Sequence, residues 1–321
     1  MQTLRRLVVF LLLPFACAAT GQTFPDRPIR VVVPFPAGGS ADYVVRLLGE
    51  KLTAQWGKPV VVEAKPGGGT IIGSNLVAKS APDGYTLGLV TGSFVIQPAI
   101  RKTVPYDILR DFEFVTPVME TPFVLTVNSA LPAASLKELL AHARANPGKL
   151  NIGSFGIGST PHILAEILGH SAGVQLVHVP FKGSPDGMAA QLGGEVQLNF
   201  DVVMSPLPHI RSGRLKPLVV TSAQRYPGLG DTPTAAEAGL PELDITAWFG
   251  IVAPARTPRE VVAKLNGGFA QALREPDVVA ALDQRGMQVL AGSPEAFRAF
   301  VARSAARLNA AVAAARIPKT D

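Results

Sequence analysis

The stretch VVVPFPAGGSADYVVRLL, residues 31–48, sets out the fold in miniature. A β-branched apolar run stops at Pro34, and a loop with the adjacent glycines Gly38 and Gly39 follows. Ser40 then opens a segment whose apolar residues Val44, Val45, Leu47, Leu48 and Leu52 recur at helical spacing. A buried strand, a glycine loop and an amphipathic helix form one half of an α/β unit. The loop lacks the remainder of any nucleotide-binding fingerprint. A helix start nevertheless carries unpaired N–H groups and the positive end of the helix dipole, and glycine lets a ligand approach them closely. Residues 38–42 therefore read as a candidate anion site that needs no basic side chain.

Each residue of the loop also has a structural reading. Gly38 and Gly39 suit a tight turn, Ser40 suits a helix N-cap, and Asp42 sits where the dipole favours an acid. An Asp42 carboxylate would repel an anion, so its expected part is to order the loop by accepting backbone N–H groups, or to meet a donor on the ligand.

The pattern continues along the chain. Strand candidates at 29–33, 60–62 and 86–90 alternate with helical segments and with a second glycine loop, Pro66-Gly67-Gly68-Gly69, ahead of a helix at 71–78. A strand at 123–127 and a helix at 135–145 follow, and then the opening motif returns. Residues 150–154 read as a strand, Phe155-Gly156-Ile157-Gly158 as a loop, and Ser159-Thr160-Pro161 as a helix start with a cap and a proline in the first turn. Ile163, Leu164, Ile167 and Leu168 carry the next stripe. Further strands are expected at 174–179, 196–200, 215–221 and 248–252, with a largely helical tail from residue 258.

Two α/β units that each begin strand, glycine loop, helix predict two lobes. The segment near Phe123 leaves the first unit and the segment near residues 245–251 returns to it, which gives a hinge and a cleft. The expected division is 22–122 plus 246–321 for one lobe and 123–245 for the other. Ligands of open α/β sheets lie beyond the carboxyl ends of the strands, where these loops sit. Two glycine loops, one per lobe, would grip the two ends of a dianion.

Residues 1–21 read as a secretory signal: Arg5 and Arg6, an apolar core from residue 7 to 13, then small residues. That core is shorter than the ~20 residues a membrane span needs. The only cysteine, Cys17, lies inside this segment, so the exported chain is expected to have no disulfide, thiol nucleophile or thiolate ligand, and lipidation at Cys17 is disfavoured by Pro14. The net charge of +6 falls to +4 without Arg5 and Arg6, and the basic residues never cluster. With aromatics at 7%, this excludes a nucleic-acid surface of the stacking kind.

Enzyme signatures are missing. Gly156-Ile157-Gly158-Ser159-Thr160-Pro161 breaks G-x-G-x-x-G at its last position, and no Walker A, HExxH or G-x-S-x-G occurs. His142, His162, His170, His178 and His209 lack metal-ligand spacing, so neither metal nor cofactor is expected. His162, beside the second loop, is the histidine placed to meet a ligand. Lys182 and Asp201 follow strand ends and are placed to face the cleft.

The segments RPIRVVVPFPAGGSAD, VVEAKPGGGTIIG, APDGYTL, SFGIGSTPH, VPFKGSPDGMAAQLGGEV, GRLKPLVVTSAQR, DTPTAAEAGLP and WFGIVAPARTP stand in an order that resembles the Bug (Bordetella uptake gene) receptors, the TctC-like solute-binding proteins of tripartite tricarboxylate transporters. The resemblance runs from about residue 24 to 308. It implies a type II periplasmic binding-protein fold closing on an organic acid without catalysis, a periplasmic location, and membrane permease subunits as partners of a monomeric receptor. Acids bound across this family range from di- and tricarboxylates to acidic amino acids and aromatic acids. It also implies that the loops matching residues 35–42 and 155–162 hold the ligand carboxylate. The residues carried over are Phe35, Ala37, Gly38, Gly39, Ser40, Asp42, Phe155, Gly158, Ser159, Thr160 and His162; Ser93, Phe181 and Asp201 complete the candidate set. Ala64 stands where the family often has Asn, the Gly69-Thr70 ending is unusual, and Phe181 stands where Tyr is common, which removes a hydroxyl near the cleft. A sensor subunit docking on a signalling partner, and an enzyme using the same cleft, are the rival readings.

Overall fold

The computed structural model describes residues 24–320; the expected signal segment, Cys17 included, lies outside the described residues. The first strand, β1 (Ile29–Val33), is almost wholly buried, as five residues dominated by Ile and Val allow. Helix α1 (Ser40–Trp56) buries Val44, Val45, Leu48 and Leu52 and ends where Gly57 turns left-handed at φ 65°. Each of those apolar side chains contributes roughly 1.5–3 kcal/mol by leaving water. Parallel strands β2 (Val60–Ala64) and β3 (Thr86–Thr91) flank β1. Between them α2 (Ile71–Ala78) follows the loop Gly67, Gly68, Gly69, whose φ values are all positive (124°, 59° and 61°). Helix α3 (Gly92–Ile100) leaves the end of β3.

The next strand, β4 (Phe112–Asn128), is 17 residues long and joins the two halves. The sequence pointed only to its last third, residues 123–127. The structure carries the strand through Pro117 with register shifts against its partner, so Pro117 sits where ladder pairing is irregular. Residues 112–122 pair with β9 (Thr246–Pro254), and residues 123–128 pair with β7 (Leu198–Val202) and β8 (Leu215–Val220). The strand path is β2-β1-β3-β9-β4-β7, continuing through β5 (Leu150–Ser154) to β6 (Leu176–Pro180).

The second half repeats the opening unit: β5, a glycine loop, α5 (Thr160–Ala172), then β6 parallel to β5. Helix α6 (Ser184–Gly193) connects β6 to β7. The remaining helices are α4 (Leu136–Ala145), α7 (Leu207–Arg211), α8 (Arg259–Ala272), α9 (Pro276–Asp283) and α10 (Pro294–Ala314), with β10 (Gln288–Val289) on the edge of β4. Helix α8 packs on α1 and α10 on α3. One apolar core runs through both halves, from Phe94 and Phe297 to Leu125 and Leu164, while a second lies beneath α1 around Leu48 and Phe269. This mixed α/β architecture puts the starts of α1, α3, α5 and α6 at a common level between the halves.

Candidate functional site

The two opening loops meet across the cleft. Phe35 after β1 and Phe155 after β5 approach edge to face, with ring centroids 6.3 Å apart. Beneath them lies a cavity of about 40 Å³, measured at the centres of the water molecules it would admit, lined by the first residues of four helices. Gly39, Ser40 and Ala41 come from α1, Gly92 and Ser93 from α3, Thr160 and Pro161 from α5, and Ser184 and Pro185 from α6. Phe123, Val202 and Ala247-Trp248-Phe249, on the strands that join the halves, form the floor. Among the described residues no charged side chain lines this cavity.

The four helix starts are not equivalent. Thr91 caps α3 by accepting the Ser93 N–H at 3.2 Å. Ser159 caps α5 by accepting the His162 N–H, and the Thr160 N–H goes to the Ser93 hydroxyl at 3.2 Å. Gly158 N–H donates to His162 Nδ1 and Ser159 N–H to the Gly156 carbonyl. The α5 start is therefore saturated by its own surroundings. Helices α1 and α6 carry no side-chain cap; Gly39 and Gly183 occupy the cap positions in extended conformations, with φ −84° and 173°. Their first N–H groups are the ones a bound anion would complete.

Six candidates from the sequence thus line the cavity: Phe35, Gly39, Ser40, Ser93, Phe155 and Thr160. The others do not. Ala37 and Gly38 are exposed on the rim. The cap of α1 falls on Gly39 rather than Ser40, and that of α5 falls on Ser159. Asp42 orders the loop: its Oδ2 accepts the Gly38 N–H at 3.0 Å and Arg46 Nε at 2.9 Å. Burial pushes the Asp42 carboxyl up, but the bonds from Arg46 and Gly38 outweigh it and hold the group below its ordinary value.

Gly158, Ser159 and His162 also work behind the wall. His162 stacks on His178 with centroids 4.2 Å apart, and His178 Nε2 lies 2.6 Å from Ser154 Oγ, which accepts the Gly156 N–H. Burial, with the neighbouring His178, pulls His162 down to about 4, and burial alone does the same to His178. Both rings are neutral props for the loop. Phe181 lies in an outer groove with Gly67–Gly69, Arg101 and Lys182. Asp201 is wholly buried one layer behind the cavity, where it accepts Ser184 Oγ at 2.6 Å and its neighbour's Val202 N–H at 2.8 Å. Burial pushes its carboxyl up to about 7.

Sequence reading passed over Ser184 and Pro185, although Gly183-Ser184-Pro185-Asp186 has the proline and acid expected of a first helical turn. It passed over Phe123, Trp248 and Phe249 because an apolar strand residue gives no sign of facing a ligand rather than a core.

The family model described as the tripartite tricarboxylate transporter family receptor, TctC, matches residues 44–316. The chain belongs to the TctC receptor family. A curated relative from Pseudomonas sp. (strain P51), the UPF0065 protein in the tcbD-tcbE intergenic region, is 41% identical over 85% of this chain and 81% of its own length. Protein BugT of Bordetella pertussis is 36% identical over 89% of each chain. Among solved structures, periplasmic binding protein BugD superposes with a TM-score of 0.89 at 34% identity, over 92% of this chain and all of its own. An R. palustris protein solved with adipate gives 0.89 at 32% over 92% of this chain and 100% of that one. MatC of Rhodopseudomonas palustris with bound malate gives 0.86 at 31% over 90% and 100%. This TctC-family receptor accordingly has the fold of periplasmic binding proteins, and among its described residues no helix is long and apolar enough to cross a membrane.

Proposed function

We propose that this receptor captures a small carboxylate between two lobes in the periplasm and delivers it, as a monomer and without catalysis, to the permease subunits of a tripartite transporter. The lobes of this reading are 22–122 with 246–321, and 123–245, and the signal for export is residues 1–21. The observation that carries it is the pair of uncapped helix starts, α1 and α6, which face a cavity without a charged side chain. Backbone N–H groups at such starts hold an anion that the protein would otherwise have to neutralise with a cation. The structures solved with adipate and malate support a carboxylate as the class of ligand. Because the cavity touches both halves, a ligand there binds the closed arrangement better than an open one.

A thermal-shift screen of organic acids, followed by calorimetry, tests the reading. A ligand at 100 times its Kd adds about 2.7 kcal/mol of stability. The acid is expected to bind and its primary amide to bind far more weakly. Lys182→Ala is expected to leave the Kd nearly unchanged, because Lys182 lies in the outer groove. Amides that equal their acids, or loss of binding on Lys182→Ala with the fold intact, would remove the helix-start mechanism.

A further inference from the structure

We infer that the cavity is built for one carboxylate on an uncharged, largely apolar body, and that it selects against diacids. The inference rests on the carboxylate reading above and narrows it. The two uncapped helix starts do not face each other from opposite ends, as a dianion would require. They abut. A Cβ placed on Gly39 would lie 3.5 Å from Pro185 Cδ, and one placed on Gly183 would lie 2.5 Å from Pro36 Cδ. The two starts therefore line the same end of the cavity.

A side chain marks the same place independently. Ser40 is 7% exposed and lines the cavity, and its hydroxyl has no hydrogen-bond partner among the described residues. It can donate to an acceptor placed in the cavity.

The other pair of starts, α3 and α5, is more fully occupied. The Ser93, Thr160 and His162 N–H groups are taken by Thr91, Ser93 and Ser159, and Pro161 has none. The Thr160 hydroxyl, 3% exposed, also lines the cavity there and suits a neutral hydroxyl or carbonyl. The rest of the wall is aromatic: Phe123, Phe155, Trp248 and Phe249. The Trp248 indole N–H is engaged by Ser304 Oγ at 2.9 Å. A second carboxylate would be stripped of water here with no cation to receive it.

The experiment is calorimetry on the full mature protein with acids paired by chain: benzoate against terephthalate, and hexanoate against adipate. Monomethyl terephthalate separates charge from size. In any pair that binds, the monoacid is expected to bind at least tenfold tighter than the diacid, and monomethyl terephthalate at least tenfold tighter than terephthalate. A diacid that binds as tightly as its monoacid overturns the inference and leaves the carboxylate reading standing. Equal weakness of the ester and the diacid overturns it too, by assigning the discrimination to size. If neither member of either pair binds but other organic diacids do, the inference falls alone; if no organic acid binds, the carboxylate reading falls first and takes the inference with it.

Discussion

Ser93 and Thr160 stand 67 residues apart in the chain, and the Thr160 backbone N–H donates to the Ser93 hydroxyl at 3.2 Å. The bond ties α3, in the half that carries β1, to α5, in the half that carries β5. Gln97 reinforces it: its Nε2 donates to the Gly69 carbonyl at 2.7 Å and to the Ile157 carbonyl at 3.3 Å. Removing the hydroxyl in Ser93→Ala leaves a buried N–H without a partner, a cost of about 1–3 kcal/mol. We expect a lower melting temperature and a larger radius by small-angle scattering without ligand, since the closed arrangement alone contains this bond. A variant indistinguishable from the parent in both would show that the contact does not hold the halves together.

Gly39 and Gly158 should respond differently to the same change. Gly158 has φ +81°, and a Cβ there would meet Ile100 Cδ1 at 2.4 Å and Gln97 Nε2 at 2.5 Å. Gly39 has φ −84° and room for a Cβ in ordinary contact with Pro185. Gly158→Ala should therefore destabilise by about 1–3 kcal/mol through backbone strain alone, with more from the clash. Gly39→Ala should leave stability unchanged, while Gly39→Val should keep the fold and weaken ligand binding. Chemical denaturation beside calorimetry reads both, and equal stability losses at the two glycines would contradict the distinction.

Asp201 should make binding depend on pH. Its folded pKa, about 7, lies above the ordinary carboxyl value of 3.8, so the stability it contributes is complete below about pH 4 and is lost as pH rises through 7. Ionised Asp201, one hydroxyl behind the α6 start, would repel a bound carboxylate. Affinity is expected to fall between pH 6 and 8, with proton uptake on binding within that range. Calorimetry in buffers of different ionisation heat measures the proton, and Asp201→Asn should flatten the profile. A wild-type profile already flat across this window would exclude the coupling.

The stacked His162 and His178 act with the opposite sign. Both have folded values near 4, below the ordinary 6.5, so their contribution is complete above about pH 6.5 and is lost as pH falls towards 4. Protonation puts two like charges on rings 4.2 Å apart and loosens the 156–158 loop. The melting temperature should drop from pH 7 to pH 4.5, and less so in His178→Phe, which keeps the stack without a charge. An equal drop in both proteins would place the acid sensitivity elsewhere.

Much of this architecture is local and was legible. The Val-rich strands, the stripe from Val44 to Leu52 and the paired strand–glycine–helix openings depend on residue type and short-range spacing, which sequence displays directly. Local rules also located Gly39, Ser40 and Thr160 at the cavity, and the family resemblance added Phe35. They could not say which helix starts stay open, because that depends on which hydroxyls arrive from distant segments. Ser159 saturates α5 from next door, but Ser93 reaches it only when β3 and β5 lie in one folded body. The same holds for β4, whose first two thirds became strand only because β9 supplied a partner with shifted register at Pro117. It holds for Asp201 as well, an ordinary acid in the sequence that becomes a buried, protonatable group only when β7 and α6 close over it. Sequence by itself determined the α/β units and the loops between them. Tertiary structure alone decided which N–H groups remain available to an anion, since hydrogen-bond satisfaction is settled by contacts between residues far apart in the chain.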